Sequence, residues 1–261
     1  MAALAEFAAL VPASGVIIFL IIGYARTKFQ LSAVPWHTGR YEHDATMPVL
    51  AGAAYRAAAN QSDAGIPPAS PVHRALFVVD IENSTAKPDP VKARLRRVLY
   101  HLLGEALRTS GISPDDCDRL VDRGDGVLIL IKPADHIPKL TLFTVLVPTL
   151  EDLVERHNRD NPELVLRLRM AVHAGEVHHD EQGPFGEAVD LTCRLLDAPE
   201  LKAALKHASS STVLAVSQHL YEVIIVHHYD GIDATMYSPL IRVELVGTPR
   251  QGWLRTTAGP S

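Results

Sequence analysis

An apolar run, Ala75–Leu76–Phe77–Val78–Val79, ends on the carboxylate of Asp80 and continues as Ile81–Glu82–Asn83–Ser84–Thr85. Further along, Asp118–Arg119–Leu120–Val121 and Val127–Leu128–Ile129–Leu130 flank Gly124–Asp125–Gly126. The first segment reads as a buried strand ending in an acid. The second reads as a short hairpin with an acid in its turn, where glycine gives the backbone the freedom a tight turn needs. Either Asp alone has an ordinary explanation, as a helix cap or a turn residue. On neighbouring strand ends, however, the two can hold a pair of divalent cations over a polyphosphate. Hard cations favour carboxylate oxygens and leave part of their coordination to substrate phosphates.

A third segment adds weight. Leu168–Arg169–Met170–Ala171–Val172–His173–Ala174–Gly175–Glu176–Val177 is followed by Phe185–Gly186–Glu187–Ala188–Val189–Asp190–Leu191–Thr192–Cys193–Arg194–Leu195. In this order the three segments resemble the catalytic domain of class III nucleotidyl (adenylate and guanylate) cyclases. That family runs strand–Asp-Ile-x-x-x-Thr, then Gly-Asp-Gly, then Arg-x-x-x-His-x-Gly-Glu-Val, then Gly-x-x-Val-Asn-x-x-x-Arg. The resemblance covers about residues 73–246, roughly two-thirds of the chain. The wording of Asp122–Arg123–Gly124–Asp125–Gly126 and Arg194–Leu195–Leu196–Asp197–Ala198 is similar to cyclase-like proteins of actinobacterial signalling and conflict systems.

The resemblance implies an α/β (α+β) sandwich, a ferredoxin-like mixed sheet covered by helices. It implies conversion of a nucleoside triphosphate to a 3′,5′-cyclic nucleotide and pyrophosphate. Asp80, the Ile81 backbone and Asp125 match the ligands of two Mg²⁺ or Mn²⁺ ions. The backbone of Ile81, Glu82, Asn83, Ser84 and Thr85 would cradle phosphate at a helix start, where free N–H groups favour anions. Arg194 matches the transition-state arginine, a role that suits an always-charged, forked guanidinium. The family's active site is shared across a head-to-tail homodimer, with metals from one chain and this arginine from the other.

Three positions depart from the pattern. Asp190 stands where the family has Asn, which places an anion near the reacting phosphate. Val121 stands four residues before Asp125, where the family reads the purine with Lys or Glu. Gly183 replaces the polar partner residue seven before Asp190. The usual purine-reading hydrogen bonds are therefore missing, and the base stays open. The alternative is a cyclase-homology module without turnover that binds a nucleotide or a partner in signalling.

Elsewhere the chain is less specific. Its 261 residues suffice for one large domain and an appendage, and 47% hydrophobic residues allow a core without disulfides. The net charge of -5 mixes both signs, so nucleic acid is not an expected partner. Cys117 and Cys193 are lone, which points to a reducing compartment. His173, His178, His179 and Asp180 cluster in sequence, but zinc needs convergent ligands at defined spacing. They read better as a strand residue and an exposed turn.

Phe7–Ala25 carries no charge and nears the ~20 residues of a membrane-spanning helix. Arg26 and Lys28 follow it, so residues 1–28 are expected to form a single-pass anchor in the inner (cell) membrane with the remainder cytoplasmic. An interfacial helix, or one packed on the domain, is the alternative. Residues 29–71 read as a juxtamembrane linker with a short helix over Met47–Ala59. Residues 72–247 form the cyclase-like domain and 248–261 a tail. Periodicity predicts helices near 90–109, over Leu142–His157, over 187–207 and over 217–226. It predicts strands over Leu164–Val177, Val213–Val216 and Leu240–Val246.

Overall fold

Val72–Ile81 (β1) is apolar on both faces and so becomes the middle of a sheet. A computed structural model describes residues 70–255. In it Ala75, Phe77, Val79 and Ile81 point to one face, and Leu76 and Val78 to the other. Antiparallel neighbours flank β1: the hairpin of β2 (Val121–Asp122) and β3 (Gly126–Ile131) on one side, and β4 (Leu168–Asp180) on the other. The sheet then passes to β6 (Thr212–Ser217), parallel to β4, and ends in the hairpin β7 (Tyr237–Leu245) and β8 (Thr248–Arg255). The strand order is β2-β3-β1-β4-β6-β8-β7, with β5 (Gly183–Phe185) folding back on the end of β4.

Helices cover both faces. On the Phe77 side lie α1 (Asp89–Thr109) and α2 (Val147–Asp160), which bury Leu95, Leu99, Leu103, Leu150 and Val154. On the Leu76 side lie α3 (Glu187–Asp197) and α4 (Pro199–His207), which bury Leu191, Leu195, Leu201 and Leu205. A short α5 (Gln218–Val223) follows β6, capped by the Ser217 hydroxyl. The mixed sheet between helical layers agrees with the expected architecture.

Several boundaries move for identifiable reasons. The helix expected over 187–207 breaks at Ala198, which is extended (φ -55, ψ 133) because Pro199 disfavours helical geometry in the residue before it. The strand expected from Leu164 begins at Leu168, after a turn over Pro162–Leu164, and runs on to Asp180. Pro148 falls in the first turn of α2, preceded by a π-helical turn at Leu142–Leu146. The expected tail at 248–261 is wrong for its first part. Thr248–Arg255 is β8, paired on both sides. Its alternation is masked by Thr248, Arg250 and Gln251. Gly252 lets it pass α3, since a Cβ there would lie 2.5 Å from Leu195 Cδ2.

The anchor, the linker and the Met47–Ala59 helix lie outside the described residues. Among the described residues no helix is long and apolar enough to cross a membrane.

Candidate metal and phosphate site

Strand register builds the site. Asp80 faces Gly126 across β3 and Arg169 across β4. Gly126 permits this approach: a Cβ there would lie 2.4 Å from the Val79 carbonyl oxygen and 2.9 Å from Asp80 Cβ. Gly124 supplies the turn with φ +85. The hairpin thus delivers Asp125 beside Asp80, and the Ile81 amide donates to the Asp125 carbonyl at 3.1 Å. The Ser84 hydroxyl donates to the Asp125 carboxylate.

Asp80 is 8% exposed. Arg169 forks onto both its oxygens, Nε at 2.9 Å and Nη2 at 2.6 Å. Burial nevertheless pushes the Asp80 carboxyl up to about 6, with Arg169 opposing and the nearby Asp125 charge adding to the rise. Asp80 is thus desolvated with a single guanidinium, and the half-buried Asp125 beside it has no cationic partner among the described residues, so the pair can take further positive charge. Its donors are oxygens, which suits Mg²⁺ or Mn²⁺. Ile81 buries its side chain (2% exposed) and offers the site only backbone. Among the described residues no group of three or more His, Cys, Asp or Glu side chains gathers in a metal-binding arrangement. A cation on Asp80 and Asp125 would complete its shell with carbonyl, water and phosphate oxygens.

The expected phosphate cradle is narrower than the sequence implied. The Glu82 amide donates to Arg167 at 2.9 Å, so the amides of Ile81 and Glu82 are both committed inside the fold. The Glu82 carboxylate pairs with Arg167 at 3.0 Å. The amides of Asn83, Ser84 and Thr85 have no partner among the described residues. No long helix starts here either: Ser84–Ala86 is one 3-10 turn after a left-handed Asn83 (φ 53), and α1 begins at Asp89.

Two cavities flank Asp125. One, of about 540 Å³, is lined by Ile81–Thr85, Asp125, Arg169, Lys202, Ala203 and Lys206. The other, of about 490 Å³, has Lys92, Arg96 and Arg123 in its wall. Arg169, Lys202 and Lys206 were not singled out from the sequence. Their signals are present, as the first residue of the Arg-x-x-x-His run and a lysine pair four apart, but only the register of β1 on β4 brings Arg169 to Asp80, and only the packing of α4 brings the lysines to the cavity beside Asp125.

The other candidates stand apart. Arg194 and Asp190 are exposed on α3, Asp190 in its first turn, where the helix dipole favours an acid. Neither side chain has a bonding partner among the described residues. Val121 is half-buried in β2, opposite Leu128. Gly183 sits in β5 with φ +135, a conformation that strains any side-chain-bearing residue. That backbone accounts for glycine where a polar base-reading group was expected.

The histidines diverge. His173 is buried, its Nδ1 2.8 Å from the Ser217 hydroxyl, and burial holds its ring down at about 4. His178 stacks on Phe185, and His179 meets Asp118 at 3.1 Å.

No protein-family model and no curated protein matches this sequence. Solved structures do. The guanylyl cyclase Cya2 aligns at a TM-score of 0.52 and 14% identity, over 74% of this chain and 96% of that one. The adenylyl cyclase CyaB from P. aeruginosa aligns at 0.50 and 13% identity, over 74% and 98%. At such identities the likeness establishes the fold: residues 70–255 have the fold of class III adenylyl and guanylyl cyclase catalytic domains.

Proposed function

We propose that the protein is a metal-dependent nucleotidyl cyclase-type signalling domain acting on a nucleoside triphosphate. One observation carries the reading. The register of β1 against β3 and β4 sets the buried Asp80 beside the half-buried Asp125, next to the open amides of Asn83–Thr85. Two divalent ions bound there would neutralise the triphosphate and make the ribose 3′-hydroxyl a better nucleophile. Asp80 and Asp125 hold that charge in place, Ser84 orients Asp125, and the Asn83–Thr85 amides meet phosphate oxygens. Arg194 serves a second copy of the chain, which fits its exposed, unpaired position and implies a homodimer. The base is read without the usual polar pair, given Val121 and Gly183. An anchor within residues 1–28 would place the domain on the inner face of the cell membrane.

The test incubates the full chain with each of the four nucleoside triphosphates and Mn²⁺ and looks for cyclic products. Titration calorimetry of Mn²⁺ and triphosphate runs alongside. Asp125→Ala is expected to weaken Mn²⁺-dependent triphosphate binding at least ~100-fold, since it removes one of two charged ligands. Unchanged binding in Asp125→Ala would refute the reading. Metal-dependent binding without product would instead identify the module that binds but does not turn over.

A further inference from the structure

The cavity beside Asp80 and Asp125 has a basic wall that the metal reading does not use. Lys202 and Lys206 are four residues apart on α4 and so share one face, with Ala203 beside them in the same wall. Leu201 and Leu205, each one residue before a lysine, anchor the adjoining face of the helix in the core. Arg167 fixes where that face stands. It pairs with Glu82 in the Asp80 loop at 3.0 Å and donates to the Leu205 carbonyl at the C-terminal end of α4. The lysine wall and the open amides of Asn83–Thr85 are therefore held around one cavity of about 540 Å³.

Of the acids at or beside this cavity, Glu82 pairs with Arg167 and Asp80 with Arg169, while Asp125 accepts from the Ser84 hydroxyl and has no cationic partner among the described residues. Lys202 makes only a solvent-exposed pair with Asp197, at 3.1 Å, which is weak. Lys206 has no charged partner among the described residues. Two mobile ammonium groups suit a flexible, highly charged polyphosphate better than a planar carboxylate.

We propose that Lys202 and Lys206 bind the terminal phosphates of the substrate's triphosphate, in the same chain that supplies Asp80 and Asp125. The inference rests on the metal–triphosphate reading above and deepens it: one chain holds metals and phosphate tail together, and the second copy contributes Arg194. The two lysines select ligands by phosphate charge, whatever base follows.

The probe is inorganic tripolyphosphate with Mn²⁺, titrated into the full chain by calorimetry, with Mn²⁺ alone as a second titration. Lys202→Gln and Lys206→Gln are each expected to weaken Mn²⁺-tripolyphosphate binding about tenfold, as losing a charge-assisted contact does, with Mn²⁺ affinity unchanged. Lys206→Arg, which keeps the charge, is expected to retain most of the affinity. Thermal unfolding of each variant separates a role in capping the dipole of α4, which moves the melting temperature alone. A Lys202→Gln/Lys206→Gln double variant that binds tripolyphosphate within about twofold of wild type overturns the inference and leaves the metal reading standing. A wild type that binds no Mn²⁺ overturns the metal reading, and this inference with it.

Discussion

The acidic corner at Asp80 and Asp125 and the face of α3 that carries Arg194 are built on opposite plans. Around Asp80 and Asp125 each acidic side chain is engaged: Arg169 grips Asp80, Ser84 grips Asp125, and Arg167 grips Glu82. On α3, Arg194 and Asp190 stand in solvent with no bonding partner among the described residues. The first half is organised by its own chain, at the cost of desolvating charge. The second is inexpensive to fold and has nothing of its own to act upon. On the function proposed above, each chain would pre-organise one half of the site and present the other to a second copy.

Removing the grip on the acidic half is expected to have the largest effect. Arg169→Met leaves the Asp80 carboxylate buried without its partner, which costs about 3–5 kcal/mol of stability. Denaturant unfolding should show this loss at pH 8 and a smaller one at pH 5, where Asp80 can take up a proton instead. Equal losses at both pH values would mean that the pair is not electrostatic in origin.

The second test addresses the arginine half. Arg194→Ala should leave stability within about 0.5 kcal/mol of wild type, because the residue is exposed. Turnover should fall by about 10²–10³, the usual cost of one transition-state contact. Mixing Asp80→Ala chains with Arg194→Ala chains should restore about a quarter of wild-type turnover, since half the dimers are mixed and each holds one intact site. No recovery between two folded variants would break the comparison, because both halves would then act within one chain.

The smallest effect concerns a titrating group in neither half. His173 is held near 4, mainly by burial, against an ordinary value of 6.5. Between those values the unfolded chain binds the extra proton, so His173 lowers stability as pH falls through that window. Asp80 acts in the other direction: raised from 3.8 to about 6, it keeps its proton longer in the folded chain and lowers stability as pH rises through that range. The two slopes oppose each other in the wild type. His173→Gln should expose the Asp80 slope, at most about 1.4 kcal/mol per pH unit, while Mn²⁺ affinity stays unchanged. A change in Mn²⁺ affinity would tie His173 to the site.

What could be read before folding, and what could not, divides along the range of the interactions. The strand Ala75–Val79, the helix at Asp89–Thr109 and the Gly-Asp-Gly turn are local patterns, and each forms where its periodicity or glycines place it. β8 escaped because its alternation is interrupted by polar residues and its place depends on β6 and β7. The break at Ala198 was legible in Pro199 but hidden by a helical pattern that runs on both sides of it. The five-amide phosphate cradle shrank to Asn83–Thr85 because the Ile81 and Glu82 amides bond segments remote in sequence.

The sequence by itself determined that two carboxylates would stand on strand ends, with glycines on either side of the second, because strand period and turn chemistry are properties of a few adjacent residues. Only the tertiary structure decided their company. Arg169 reaches Asp80 through the antiparallel register of β4 on β1, and Lys202 and Lys206 come to the cavity that Asp125 lines through the packing of α4 on the sheet. Register is fixed by which apolar faces must be buried together, a condition on the whole core that no single segment contains.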